Sequence, residues 1–252
     1  MNKFGKIRAL LIDIDDTITR LKPNHDQAKS NGNWTASLFE VLQSAGVKLA
    51  GLSSKETARR IEKIKTQVLW WHWADYIVEL GLDPKLFWDY AYQVESDYLE
   101  ATGPEIRSAL TRIRDNGILL YVTSNNPNDG ILHKLRVAGL ANSQGAPLFS
   151  QLLGVSGLHA MKWEATYWKK ALAHIALAPK EVAVVGDGFR DDYEVPYSVG
   201  LAGSFLVNRI EDLSASNTDT LIHVRNFDQI ADHLLADRRK SVLGKTGSTL
   251  RT

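Results

Sequence analysis

Residues 9–17 read Ala9-Leu10-Leu11-Ile12-Asp13-Ile14-Asp15-Asp16-Thr17. The four apolar residues follow Lys6 and Arg8 and run straight into acids. A short continuous apolar run of this kind predicts a strand buried on both faces, as in a parallel sheet covered by helices on each side. Similar runs recur at residues 118–123, 182–185, 205–207 and, more weakly, 221–224. Helical patterns lie between them. Residues 106–115 end at Gly117, a helix stop that leads directly into the second run, and residues 163–178 end at Pro179 before the third. Strands alternating with helices predict a doubly wound α/β sheet of Rossmann-like type.

The interval between the first two strands breaks this rhythm. Residues 21–103 carry helical signals and no convincing strand. One pattern spans residues 34–45 and closes at Gly46. Ser53 followed by Glu56 reads as a capping box for a helix through residue 80, closed by Gly81. Asp83-Pro84 reads as an N-cap and first helical position, for a helix reaching residue 101 ahead of Gly103-Pro104. The expected organisation is therefore a core domain over residues 1–20 and 104–240 with an all-helical cap subdomain, residues 21–103, inserted into it. Hinges are expected near residues 18–23 and 101–104. Residues 241–252, rich in Ser, Thr, Gly and Lys, are expected to form a flexible tail.

Composition narrows the chemistry. Across 252 residues, 44% are hydrophobic and 23% charged, as in a soluble globular protein able to bury a core. The formal charge of +1 gives no global attraction to nucleic acid or to an acidic membrane, so neither is expected as a partner. The absence of cysteine excludes disulfides, thiolate metal sites and cysteine nucleophiles. No apolar run approaches the roughly 20 residues of a membrane span, and residues 1–8 lack the apolar stretch of a signal peptide. A cytoplasmic location is the resulting expectation.

Chemistry concentrates at the ends of the expected strands. Side chains alternate along a strand, so Asp13 and Asp15 point the same way where the first strand ends. Ligands of open α/β sheets gather at the carboxyl ends of strands. Two carboxylates there repel each other unless a cation neutralises them or one keeps its proton. Either condition suits phosphoryl transfer, with one carboxylate attacking and the other carrying protons. The plainer alternative is a turn using Asp side chains as caps. The third strand ends in Gly186-Asp187-Gly188-Phe189-Arg190-Asp191-Asp192. With Asp13, these acids could build an all-oxygen site for a hard ion such as Mg²⁺. The second strand ends in Thr123-Ser124-Asn125-Asn126-Pro127, where a hydroxyl and backbone N–H groups could hold phosphate oxygens or simply form a turn. Lys162, just ahead of a helix, is a candidate counter-charge, although a lone lysine is usually a solvated surface residue.

Taken together, these four segments resemble the motifs of the haloacid dehalogenase-like superfamily, in the family's order. Asp13-Ile14-Asp15-Asp16-Thr17 is similar to its first motif, Val122-Thr123-Ser124-Asn125 to its second, Lys162 to its third, and the stretch from Gly186 to Asp192 to its fourth. The resemblance covers residues 5–20 and 104–210, and the insertion matches a family cap in position and helicity only. It implies a Mg²⁺-dependent phosphatase acting on a small phosphorylated substrate. Asp13 would be the nucleophile that becomes an aspartyl-phosphate. Asp15 would carry protons and lend its backbone carbonyl to the metal. Ser124, with Asn125 beside it, and Lys162 would hold the phosphoryl group, and Asp187 and Asp192 would complete the metal site. Trp163 stands where many relatives have proline, Gly188 where serine is frequent, and Asp191 at a common asparagine position, so Asp191 and Asp192 could exchange metal roles.

Other readings within the resemblance are weaker. Haloacid dehalogenation releases halide unprotonated and has no use for Asp15. Phosphonate cleavage uses a cap lysine, but Lys55, Lys63 and Lys65 lie beside Arg59, Arg60 and Glu62 and read as a charged helix face. Phosphomutase chemistry shares the first steps. A non-catalytic binding protein on the same fold is the alternative of a different class. Within the insertion, Trp70-Trp71-His72-Trp73 and Tyr76 cannot all share one helical face, so two or three rings are expected to fill the insertion's own core. A ring left outside would line the entrance or a contact surface.

Overall fold

The protein is represented by a computed structural model that describes residues 3–20, 22, 38–67, 73–97, 99–209, 211 and 213–246. Six strands form one parallel sheet: β1 Ala9–Ile12, β2 Leu119–Ser124, β3 Gln151–Gly154, β4 Val182–Gly186, β5 Gly203–Val207 and β6 Leu221–Val224. Their order across the sheet is β3-β2-β1-β4-β5-β6. The strand order reverses at β1, the switch point at which open α/β sheets leave a crevice. β1 pairs with β2 on one side and β4 on the other, with Ile12 level with both Val122 and Val185. Three of the predicted chemical segments therefore leave the sheet side by side.

Among the described residues, ten α-helices flank or extend this sheet: α1 Leu38–Lys48, α2 Ser54–Lys65, α3 Trp73–Glu79, α4 Pro84–Ser96, α5 Gly103–Asp115, α6 Asn128–Val137, α7 Val155–Leu158, α8 Ala165–Ile175, α9 Val195–Ser198 and α10 Phe227–Thr246. Alternate residues of β1 are buried into opposite layers. Leu10 and Ile12 pack with Ile106, Leu110 and Ile113 of α5, Leu135 of α6, and Ile230 and Leu234 of α10. Ala9 and Leu11 pack with Tyr167, Trp168 and Ala171 of α8. Both faces are covered, which is why these strands read as continuous apolar runs.

Helices α1–α4 all lie between β1 and β2 and enclose a separate apolar cluster, including Leu42, Ile61, Trp73, Tyr76, Ile77, Phe87 and Ala91. Ser53 caps α2 by accepting from the Glu56 N–H at 3.2 Å, and Asp83 caps α4 by accepting from the Leu86 N–H at 3.0 Å. The expected single helix over residues 53–80 is instead two. α2 stops at Lys65, where the Thr66 hydroxyl donates to the Lys63 carbonyl at 2.7 Å and competes with continuation of the helix. α4 also stops earlier than expected, at Ser96. There the returning chain pairs with the outgoing one: the Glu100 N–H donates to the Arg20 carbonyl at 2.8 Å, and the Thr102 hydroxyl donates to the Ile18 carbonyl at 2.8 Å. Arg20 adds ion pairs to Glu100 and, at 2.6 Å, to Glu105.

The expected helices over 106–115 and 163–178 are present as α5 and α8. The second is shorter because Ala176, in left-handed backbone with φ 52°, closes it. α10 runs to Thr246, past residue 241 where the tail was expected to begin; residues 247–252 lie outside the described residues. Of the aromatic stretch, Trp73 and Tyr76 are buried in the insertion's core, as expected, while Trp70, Trp71 and His72 lie outside the described residues. Among the described residues, no helix is long and apolar enough to cross a membrane.

Candidate active site

The carboxyl edge of β1, β2 and β4 assembles the predicted residues at one place. The Asp13 N–H donates to the Val185 carbonyl at 2.8 Å, so β1 stays tied to β4 one residue past the ladder. Asp13 is 7% exposed, and its Oδ1 receives the Lys162 ammonium at 2.5 Å. Lys162 also reaches Asp192 Oδ1 at 2.6 Å. Lys162 is thus no solvated surface lysine but a buried cation between two buried carboxylates. Its loop is held in place by the Lys162 N–H donating to Asn125 Oδ1 at 2.8 Å and by the Trp168 indole donating to the Lys162 carbonyl at 2.7 Å.

Asp13, Asp187 and Asp192 each offer a carboxylate oxygen, and these atoms lie within 4.8 Å of one another. Asp192 turns back toward the strand it follows. The Gly188 N–H donates to its Oδ2 at 3.1 Å, and its own carbonyl accepts from the Ser204 hydroxyl at 2.5 Å. Gly186 makes room for this turn, since a Cβ there would stand 2.0 Å from the Asp192 Cγ. Asp191 points elsewhere, accepting from Asn125 Nδ2 at 3.4 Å. Asp192, not Asp191, is therefore the acid grouped with Asp13 and Asp187.

The charges in this group are in tension. Burial pushes the Asp13 carboxyl well above the usual range; Lys162 opposes this, and Asp192, Asp187 and Asp15 add to it. Burial likewise raises Asp192 against the pull of Lys162. Asp187 is pushed up to about 6 by partial burial and by Asp192. Burial alone would depress Lys162, but the facing Asp13 and Asp192 outweigh it and hold the ammonium charged. Carboxylates that resist ionisation together fit a hard divalent cation, which would relieve their repulsion with oxygen donors alone.

Asp15 occupies a different position from Asp13. Its Oδ2 accepts from Asn126 Nδ2 at 2.6 Å, and its Oδ1 faces the Lys134 ammonium at 2.7 Å. Its side chain therefore lies apart from the carboxylate trio, and any share in a metal site would fall to its backbone carbonyl. Ser124 is 1% exposed at the end of β2. Its hydroxyl accepts from the Asn126 N–H at 3.0 Å and from Asn126 Nδ2 at 2.9 Å, and its N–H donates to the Tyr167 hydroxyl at 3.0 Å. The Asn125 side chain bridges toward Lys162 and Asp191, tying two loops together. Arg209, two residues beyond β5, donates to the carbonyls of Asp16 at 2.6 Å and Thr17 at 2.5 Å, and so pins the turn where Asp16 adopts φ 55°.

Sequence reasoning did not reach Asn126, Lys134 or Arg209. Asn126 belongs to a stretch that also reads as an ordinary turn. Lys134 lies on α6, where a charged residue reads as solvent-facing, yet it is 2% exposed. No local signal marks either.

A family model described as haloacid dehalogenase-like hydrolase matches residues 7–195. No curated protein is matched. Among solved structures, a phosphatase of this class from Thermococcus onnurineus superposes with a TM-score of 0.56 at 22% identity, covering 92% of this chain and 100% of its own. A β-phosphoglucomutase candidate from Thermotoga maritima gives 0.51 at 15% identity, over 95% and 99%. L-2-haloacid dehalogenase from Xanthobacter autotrophicus gives 0.50 at 15% identity, over 89% and 97%. At such identities these structures share a fold with this chain and nothing finer. The family match spans most of the chain, from β1 through β4 with the insertion between, and the chain belongs to the haloacid dehalogenase-like hydrolase family.

Proposed function

We propose that the protein is a Mg²⁺-dependent phosphatase that hydrolyses a small phosphomonoester through an aspartyl-phosphate on Asp13. The observation that carries this reading is the second carboxylate. Asp15 stands beside the buried Asp13 with both oxygens oriented, by Asn126 and by Lys134. A dehalogenase has no use for a proton carrier there, because halide leaves unprotonated. A phosphomonoester needs one, because an alkoxide is a poor leaving group.

Asp13 Oδ1 is engaged by Lys162, so the other oxygen is the one to attack phosphorus. As the bond to the leaving oxygen breaks, protonated Asp15 donates to that oxygen and the alcohol departs. Asp15, now a carboxylate, takes a proton from water, whose oxygen attacks the same phosphorus. Asp13 is regenerated and phosphate released. Lys162 balances charge on the phosphoryl oxygens and keeps Asp13 oriented, while the Ser124 hydroxyl and the neighbouring Asn125 N–H receive those oxygens. Asp13, Asp187, Asp192 and the Asp15 carbonyl would hold Mg²⁺, which when bound supplies positive charge to the carboxylates and the phosphoryl group. Helices α1–α4 form the cap, moving relative to the sheet to admit substrate and exclude water.

The test is phosphate release from a panel of sugar phosphates, nucleotides, phospho-acids and phosphoamino acids, with Mg²⁺ and with EDTA. Metal-dependent release from at least one class is expected. Full activity in EDTA, or halide release from haloacids without any phosphate release, would overturn the reading.

A further inference from the structure

Beneath the insertion lies a buried ionic group that joins the proton carrier to the insertion. Lys134 of α6 is 2% exposed and faces two carboxylates, Asp15 Oδ1 at 2.7 Å and Glu95 Oε1 at 3.2 Å. Glu95 belongs to α4, in the insertion, and is fully buried. Its other oxygen pairs with Nε2 of His133, also buried. Trp88 and Tyr92 of α4 flank the His133 ring, each with centroids 6.0 Å away, and complete the contact between α4 and α6.

Two physical points give this group a meaning beyond packing. Buried ion pairs are poor devices for stability alone, because apolar side chains of similar size dock two helices at least as well. The chain instead places one cation so that it is shared between the proton carrier and the insertion. Asp15 has no other ion-pair partner among the described residues, and with Asn126 on Oδ2 the ammonium on Oδ1 fixes the carboxylate plane. Glu95 reaches Lys134 only while α4 rests on α6.

We propose that Lys134 is a positioning residue for the proton carrier, and that Glu95 makes its position depend on the insertion. Seating of α4 on α6 and orientation of the Asp15 carboxylate are then one event. Withdrawing α4 removes one of the two carboxylates that hold Lys134 and opens its ammonium to water, and Asp15 loses a fixed partner. The enzyme carries out proton transfer only when closed, and an open site holding substrate is poorly reactive. This inference rests on the phosphatase reading for its kinetic consequence but not for its structural one.

The test compares an alkyl phosphate with p-nitrophenyl phosphate in the full-length protein. Lys134→Met and Glu95→Gln should each lower kcat/KM for the alkyl ester relative to the aryl ester by roughly tenfold or more, part of the 10²–10⁴ expected of general acid catalysis. The double variant should fall little further than Lys134→Met alone, and Lys134→Arg should recover part of the ratio. An equal loss on both substrates, an unchanged ratio, or effects that multiply in the double variant would overturn the proposal. Glu95→Gln is nearly isosteric and removes one of the two carboxylates that hold Lys134, so it carries the test if Lys134→Met does not fold. A second readout needs no activity. Coupling is reciprocal, so Asp15→Asn should speed amide hydrogen exchange in α4 several-fold without touching it. Unchanged exchange in α4 would refute the coupling even if the phosphatase reading stands. Absence of phosphatase activity in the wild type, with faster α4 exchange in Asp15→Asn, would refute that reading and leave the coupling intact.

Discussion

Replacing Lys162 with Met removes the buried cation while keeping a long unbranched side chain. Lys162 is 3% exposed and contacts Asp13 at 2.5 Å and Asp192 at 2.6 Å, themselves 7% and 1% exposed. Breaking a buried pair from one side leaves a stranded charge and typically destabilises by about 3–5 kcal/mol. Two carboxylates are stranded here, but each escapes part of the penalty by taking up a proton. That escape makes the effect depend on pH. Both acids already have folded pKa values above their unfolded ones, so the folded state binds protons more tightly and loses stability as pH rises through the folded values. Without Lys162 those values rise further and the loss extends to higher pH. The expected outcome is a deficit of about 3–5 kcal/mol near pH 8, shrinking as pH falls toward 5, read by urea unfolding in EDTA from tryptophan fluorescence. A domain of ordinary stability, about 5–15 kcal/mol, remains measurable after such a loss. Equal stability of variant and wild type near pH 8 would refute the claim that Lys162 holds these carboxylates together.

Other consequences follow from the same geometry. Asp187 has an ordinary value of 3.8 and is pushed up to about 6, so in metal-free protein its stabilising contribution is full below 3.8 and is lost as pH rises through about 6. Mg²⁺ competes with that proton. It should therefore raise the thermal midpoint clearly near pH 8 and little near pH 5, and an equal shift at both would count against Asp187 as a ligand. Gly186→Ala places a Cβ 2.0 Å from Asp192 Cγ and should displace that carboxylate, weakening Mg²⁺ binding at least tenfold by calorimetry while the circular dichroism of the sheet persists; unchanged affinity would remove Asp192 from the metal site.

Much of this arrangement is written in short segments of sequence. Strands β1, β2, β4 and β5 sit in the middle of the sheet with helices on both faces, so they had to be apolar runs and could be read as such. β3 could not. It is an edge strand paired only to β2, its Gln151 is exposed, and only Leu153 and Gly154 are buried, so no apolar run announces it. The acids of the site were legible because they follow the strand ends directly. Ser53 and Asp83 were legible as caps because capping is local, whereas the stop after Lys65 depends on a threonine back-bond that composition does not single out. Lys134 and Glu95 lie furthest from such reading. Each is an ordinary charged residue on a helix, and only the docking of α4 onto α6 turns them inward.

Phosphorylation of Asp13 is tested most directly by rapid quench of Asp15→Asn with an activated aryl phosphate. Phenolate leaves without a proton, so the first step should proceed, while hydrolysis stalls because water has lost its base. A burst of phenol matched by one acid-stable, hydroxylamine-sensitive phosphoryl group per chain is expected, with loss of both in the Asp13→Asn/Asp15→Asn double variant. A burst and trapped phosphoryl group that survive Asp13→Asn would contradict it.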